Sequence, residues 1–321
     1  MSIPSIFSIT LEYPPEIGGI ATYVHELGVT LSKESFAVLA PPQKESARFD
    51  ATVPYQVIRR PLLFPSWVWP RWLRLLFVLL PFLRRKEIRL IMIHHLLPVG
   101  YVAFIVKKLF GIPYIVFSHG TDFIKSTSSP WKRKLAGIVL GEARGVVTNS
   151  LSLEERYISV FPHVQGKTVV IYPCPSPQFF DAPPVEYIEK LRTQYGLDGK
   201  KVILSVSRLG EGKGFPQLLR LFPDLLNRFP HLVWMIVGEG EKQDQILREM
   251  HDLGVQNAIR FVGSVPHAQL APYYYLADWF VLLTHPDVTR GEEAFGFVFL
   301  EAAAAGLPIV AGKSGGVEEA V

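Results

Sequence analysis

"VVIYPCPSPQFFDAPP" (169–184) decides the fold, because one strand–helix alternation runs up to it and a second starts after it. Five prolines in sixteen residues suit a linker rather than a strand or helix. Before it come "SIFSIT" (5–10), "FAVLAPP" (36–42), "RLIMIH" (89–94), "PYIVFSHG" (113–120) and "GVVTNS" (145–150), short apolar runs separated by helical patterns such as 20–33 and 99–110. After it come "KVILSVSRL" (201–209), "LVWMIVGEG" (232–240), "AIRFVGSV" (258–265), "DWFVLL" (278–283) and "LPIVAG" (307–312), with a helix expected over 215–229. Continuous apolar strands alternating with helices predict parallel sheets covered on both faces. The expected fold is α/β: two doubly wound, Rossmann-like domains, 1–178 and 179–321, facing a central cleft. Ligands in such sheets bind at the carboxyl ends of the strands.

Composition fits this reading. The chain has 321 residues, enough for two cores, with 49% hydrophobic and 19% charged residues. Its single cysteine, Cys174, rules out an intrachain disulfide framework and a thiolate metal cluster, so a reducing cytoplasm is the expected compartment. The start "MSIPSIFSITLEYPP" carries no basic n-region and no small-residue cleavage site, so no signal peptide is expected. The charge is uneven: residues 1–180 carry +9 and residues 181–321 carry −5, for a net +4. A basic half beside an acidic half suits an anionic partner or surface on the first, although a solvated surface explains it equally.

"LLFPSWVWPRWLRLLFVLLPFLRRK" (62–86) tests the membrane question. Its apolar run from Leu75 to Leu83 is far short of the roughly 20 residues a bilayer span needs, and Arg71, Arg74 and three prolines interrupt the segment. Two readings stay open: a helix lying on an anionic membrane through Trp and Arg, or a helix buried against a sheet. The basic residues are not gathered into a nucleic-acid motif, despite a pI of 9.0, so no nucleic-acid partner is expected.

Three segments compete for phosphate. "VGEGEKQDQIL" (237–247) puts Gln243 where a third dinucleotide-binding glycine belongs, so a tight strand-to-helix turn explains it better. "GLPIVAGKSGG" (306–316) has a strand between its glycines, whereas a P-loop follows its strand. "SVSRLGEGKGF" (205–215) places Arg208 at a strand end and Lys213 in a glycine-rich turn before a helix, a good cradle for a diphosphate. "EYPPEIGGIATYVHEL" (12–27) sets Gly18 and Gly19 before a helix, which serves an anion site or a plain loop alike. "FSHGTDF" (117–123) puts His119 and Asp122 at a strand end, where structural and catalytic roles are both open. In "GEEAFGFVFLEAAAAGLP" (291–308), Glu293 and Glu301 stand in an apolar setting, and a buried carboxylate needs a partner or a ligand.

Taken in order, "YPPEIGG" (13–19), "SHGTD" (118–122), "SRLGEGKG" (207–214), "VGEGEK" (237–242) and "EEAFGFVFLEAAAAGLPIVAGKSGG" (292–316) resemble glycosyltransferase family 4, enzymes of the GT-B fold. The resemblance covers essentially the whole chain, and the two glutamates eight positions apart are its most specific part. It implies a retaining hexosyltransferase that takes a sugar from a nucleotide diphosphate, with no cofactor and no divalent metal. By resemblance, Glu293 hydrogen-bonds the donor sugar, helped by the backbone of Phe295, Gly296 and Phe297, and Glu301 accepts from the ribose. Arg208 and Lys213 neutralise the diphosphate, Gly18 and Gly19 contact it from the other domain, and His119 sits beside the reacting sugar with Asp122 near it.

"THPDVTRGEEAFGFVFLE" (284–301) is most similar to phosphatidylinositol mannoside mannosyltransferase-type members. That implies GDP-mannose or a UDP-sugar as donor, a lipid-linked or glycan acceptor, and peripheral contact with the cytoplasmic membrane face. Family members continue past the segment that ends here at Val321. The second domain is therefore expected to be incomplete at its end, and a truncated, inactive nucleotide-sugar-binding or partner protein is the alternative reading.

Overall fold

The computed structural model describes residues 5–16, 18–31, 36–84, 88–287 and 292–321. It divides into two compact units, Met1–Pro173 and Cys174–Val321, close to the boundary the proline-rich stretch suggests.

In the first unit, β1 (Ile6–Ile9), β2 (Phe36–Ala40), β3 (Gln56–Arg59), β4 (Leu90–Ile93), β5 (Tyr114–Ser118), β6 (Gly145–Thr148) and β7 (Thr168–Val170) form one sheet in the order β3-β2-β1-β4-β5-β6-β7. In the second, β8 (Lys201–Val206), β9 (Leu232–Val237), β10 (Ile259–Gly263), β11 (Trp279–Leu282) and β12 (Ile309–Ala311) take the order β10-β9-β8-β11-β12. Every pairing in both sheets is parallel. Each order reverses direction beside its first strand, between β1 and β4 and between β8 and β11. Such switch points open a crevice at the strand carboxyl ends, and both candidate sites lie there.

Two strands escaped the sequence reading. β3 is half-buried along its length, and β7 uses Val169 and Val170, the first residues of the stretch read as linker. Both are edge strands, whose exposed side weakens the apolar signature.

The Trp-rich segment divides. Its helix, Leu73–Leu83, buries Leu75, Leu79 and Leu83 at helical spacing in the first unit's core, against residues such as Ile91, Val99 and Val102. The buried-helix reading is therefore right for the helix itself. The preceding loop is different: Trp67 and Trp69 are 83% and 87% exposed. Arg85 and Lys86 lie outside the described residues. No helix among the described residues is long and apolar enough to cross a membrane.

The second core centres on Trp234 of β9, fully buried between Phe215 and Phe222 of helix Phe215–Arg228. Its Nε1 donates to Ser205 Oγ at 2.9 Å, and that hydroxyl donates to Val281 O, tying β9, β8 and β11 together. The polar atoms of this buried group are thus satisfied.

Candidate active site

In the first unit, the polar residues gather where β1, β4 and β5 end. Side chains two apart along a strand share a face. Ser8, His94 and His119 accordingly line one face, under Tyr23 of helix Gly19–Thr30, whose ring meets the His119 ring edge-on at 5.0 Å. Ser8 Oγ lies 2.9 Å from His94 Nε2, and His94 Nδ1 lies 3.2 Å from His119 Nε2. His95, on the opposite face, has Nε2 3.4 Å from Thr10 Oγ1. Burial disfavours the imidazolium and holds all three histidines neutral, with His95 at about 4 and His119 at about 3.

Asp122 lies in the turn after β5, beside His119. It is buried, and its carboxylate accepts from Ser118 Oγ (3.0 Å), the His119 backbone N–H (3.0 Å) and the Tyr157 hydroxyl (3.2 Å). These three bonds fix the turn that carries His119. Burial raises its pKa above the ordinary carboxylate value, against the lowering effect of those hydrogen bonds.

Gly18 precedes helix Gly19–Thr30, which has no side-chain cap and no acidic residue in its first turn. The loop leading to it is clamped: Arg59 donates to Pro14 O and Pro41 O, pairs with Asp50 at 2.7 Å, and lies 4.9 Å over the Tyr13 ring. The clamp fixes the loop before the helix, where Glu12 Oε2 would lie 3.9 Å from a Cβ on Gly18.

In the second unit, Arg208 follows β8 and is exposed, with no ion pair among the described residues. Lys213, five residues on, pairs with Glu293. The "GEGE" turn supports this loop. Leu209 N–H donates to Glu239 O at 3.0 Å, and a Cβ on Gly238 would lie 1.9 Å from Ser207 O. Only glycine lets the two loops meet this closely.

Glu293 is held from behind by "SGG" (314–316). Its N–H donates to Ser314 Oγ (3.3 Å), and its carbonyl accepts from Gly316 N–H (3.0 Å). Burial alone would raise the Glu293 carboxyl, but Lys213 and Arg208 hold it below the ordinary value. Gly296, at φ 91°, caps helix Phe297–Ala304, and a Cβ there would lie 2.6 Å from Phe299 Cδ2. Phe295 is buried directly before it. Gly296→Ala should therefore cost about 1–3 kcal/mol in a urea titration and lower activity with it; an unchanged midpoint would show that the turn tolerates a side chain.

The question raised by two carboxylates in an apolar stretch has a structural answer. Glu301 is 2% exposed, and its two oxygens face His267 Nε2 at 2.9 Å and the Tyr274 hydroxyl at 2.6 Å. A carboxylate offers about four lone-pair sites, so two protein partners leave room for a ligand hydroxyl. Neither His267 nor Tyr274 is visible from sequence: each lies in a local pattern, "VPHAQ" and "YYYL", that reads as loop and apolar helix. Among the described residues, no group of three or more His, Cys, Asp or Glu is arranged to hold a metal ion.

Two doubly wound parallel sheets, with buried histidines at the strand ends of the first and cations beside carboxylates at those of the second, are the build of a GT-B glycosyltransferase. Two family models match the chain: Glycosyltransferase Family 4 over residues 17–178 and Glycosyl transferases group 1 over 188–321. The GDP-mannose-dependent α-(1-6)-phosphatidylinositol monomannoside mannosyltransferase of Mycolicibacterium smegmatis is 28% identical over 98% of this chain and 81% of its own length. Its Mycobacterium tuberculosis counterpart is also 28% identical, over 98% and 82%. Among solved structures, HepE of Anabaena with UDP and glucose has a TM-score of 0.76 at 22% identity, covering 99% of this chain and 83% of that one. A glycosyltransferase from Rickettsia africae scores 0.77 at 18% identity, covering 98% and 81%. The fold is GT-B. The chain belongs to glycosyltransferase family 4 and transfers a hexose from a nucleotide sugar.

Proposed function

We propose that the protein moves mannose from GDP-mannose, with retention of configuration, to a lipid-linked or glycan acceptor at the cytoplasmic face of a membrane. The observation that carries the donor site is Arg208 beside the Lys213–Glu293 pair at the β8–β11 switch point. The Arg208 and Lys213 cations there suit an arriving diphosphate and the negative charge that develops as the glycosidic bond breaks, with Glu211 of the same loop paired to Lys242. Glu293 takes the sugar hydroxyls, with the Phe295–Phe297 turn, and Glu301 takes the ribose. By the family resemblance, Gly18 and Gly19 serve the diphosphate and His119 the sugar. No cofactor or metal is assigned to the reaction.

The choice of GDP-mannose rests on the named activities of the mycobacterial relatives. The membrane assignment is supported by exposed Trp67 and Trp69 beside Arg71 and Arg74, a pairing of aromatic and cationic groups suited to an anionic lipid surface.

A thermal-shift panel with UDP, GDP, UDP-glucose, UDP-GlcNAc and GDP-mannose tests the donor. A nucleotide at a hundred times its dissociation constant should stabilise the protein by about 2.7 kcal/mol. The expected result is a shift with GDP and GDP-mannose that Arg208→Ala loses. A shift with uridine nucleotides alone reassigns the donor base, and no shift with any of them overturns the reading as a transferase.

A further inference from the structure

We propose that Ser8 and His94 are positioning residues that fix His119 as the neutral tautomer with its proton on Nδ1, so that His119 presents a hydrogen-bond donor, not a base, to a sugar oxygen. The inference rests on the placement of His119 beside the transferred sugar and adds what sets its chemistry.

The geometry is a chain across three strands. Ser8 of β1 meets His94 Nε2, after β4, and His94 Nδ1 meets His119 Nε2, after β5. The two imidazole planes are within 18° of parallel, with centroids 5.5 Å apart. The nitrogens lie 3.2 Å apart, less than the centroid separation by about one ring diameter, so the rings meet edge to edge as a hydrogen bond requires. His94 also stacks on Phe117 at 4.8 Å, and Tyr23 closes over His119, so neither ring is free to turn away.

Two proton patterns satisfy both links. In one, Ser8 O–H donates to His94 Nε2, His94 Nδ1–H donates to His119 Nε2, and His119 carries its remaining proton on Nδ1. In the other, every donor is reversed: His119 Nε2–H donates to His94 Nδ1, His94 Nε2–H donates to Ser8 Oγ, and His119 Nδ1 is a bare acceptor. Ser8 decides between them. It is fully buried, and its hydroxyl has no further partner among the described residues. The reversed pattern therefore strands a buried O–H donor. The first strands only spare lone pairs on Ser8, which cost much less.

The outward atom completes the case. His119 Nδ1 makes no hydrogen bond among the described residues, and it is not among the buried side-chain atoms without a partner. Its N–H is thus the one donor of the chain left for a ligand or water. Which ring nitrogen bears the proton follows here from the hydrogen-bond network, as it does for any histidine whose hydrogens are not seen directly.

The test is nitrogen NMR on histidine-labelled protein without ligand. The expected result is His119 and His94 both protonated on Nδ1 and bare on Nε2. In His94→Phe, which keeps an aromatic ring against Phe117, the single pattern at His119 should give way to a mixture. His94→Asn should restore it, because an amide N–H can again donate to His119 Nε2. The affinity for GDP-mannose should fall about tenfold in His94→Phe, the loss expected for one displaced hydrogen bond, while affinity for GDP alone stays within about twofold. A wild-type His119 protonated on Nε2, or an unchanged pattern in folded His94→Phe, overturns the proposal. Should His94→Phe fail to fold, the wild-type tautomer and His94→Asn still decide it. Absence of any GDP-mannose binding would instead count against the donor assignment, while the tautomer result stands by itself.

Discussion

Glu293→Ala should lower turnover by about a hundredfold to a thousandfold, the range seen when one preorganised hydrogen-bonding group is lost from a site where charge develops. The same substitution should tighten binding of free GDP by about fivefold. In the free protein Glu293 holds the Lys213 ammonium and lies within the field of Arg208. Removing the carboxylate releases both cations to the diphosphate and removes one repelling charge, worth on the order of 1 kcal/mol at a partly screened site. A general loss of structure would weaken both quantities together, so opposite signs identify a role in the reaction. Initial rates at saturating donor and calorimetric titration with GDP supply the two numbers. Wild-type turnover, or turnover and GDP affinity falling in parallel, removes Glu293 from the proposed role.

That pair also shows what the sequence could reveal. Arg208, Lys213, Glu293 and Glu301 stood out because each belongs to a local pattern: a cation at a strand end, a cation in a glycine turn, two carboxylates in an apolar stretch. The α/β class was legible for the same reason, since central parallel strands are apolar on both faces. The partners were not legible. Lys213 meets Glu293 across 80 residues, and Glu301 meets His267 across 34. Ser8, 86 residues from His94, looked like one polar position in an apolar strand. Such contacts are set by strand order, and β1 beside β4 follows from the switch in winding rather than from any stretch of chain. Asp122 stood out as well, but its position at a strand end suits both binding a ligand and holding a turn, and the three donors that favour the second role come together only in the fold.

Those donors make the second large effect a comparison of two substitutions. Asp122→Ala leaves Ser118 Oγ, the His119 N–H and the Tyr157 hydroxyl without their acceptor, and at about 1–3 kcal/mol for each unsatisfied buried group the loss should exceed about 3 kcal/mol. Asp122→Asn keeps an oxygen for Ser118 and His119, and its amide can donate to the Tyr157 oxygen once that hydroxyl turns. It also removes a carboxylate that burial makes harder to ionise. Because the folded-state pKa is raised, the native chain holds this proton more tightly than the unfolded chain does. Its contribution favours the fold at low pH and declines as pH rises from the unfolded value of about 3.9 through the raised native one. Asp122→Asn should therefore match or exceed wild-type stability at pH 7, by up to about 1 kcal/mol, and lose that part of the pH slope. Urea titrations of both variants at pH 5 and pH 7 measure this. Transfer activity adds an independent readout: if Asp122 only holds the His119 turn, Asn stays near wild type and Ala does not. An asparagine variant as unstable as alanine would show that the charge itself is needed. One that is stable yet inactive would return Asp122 to the substrate.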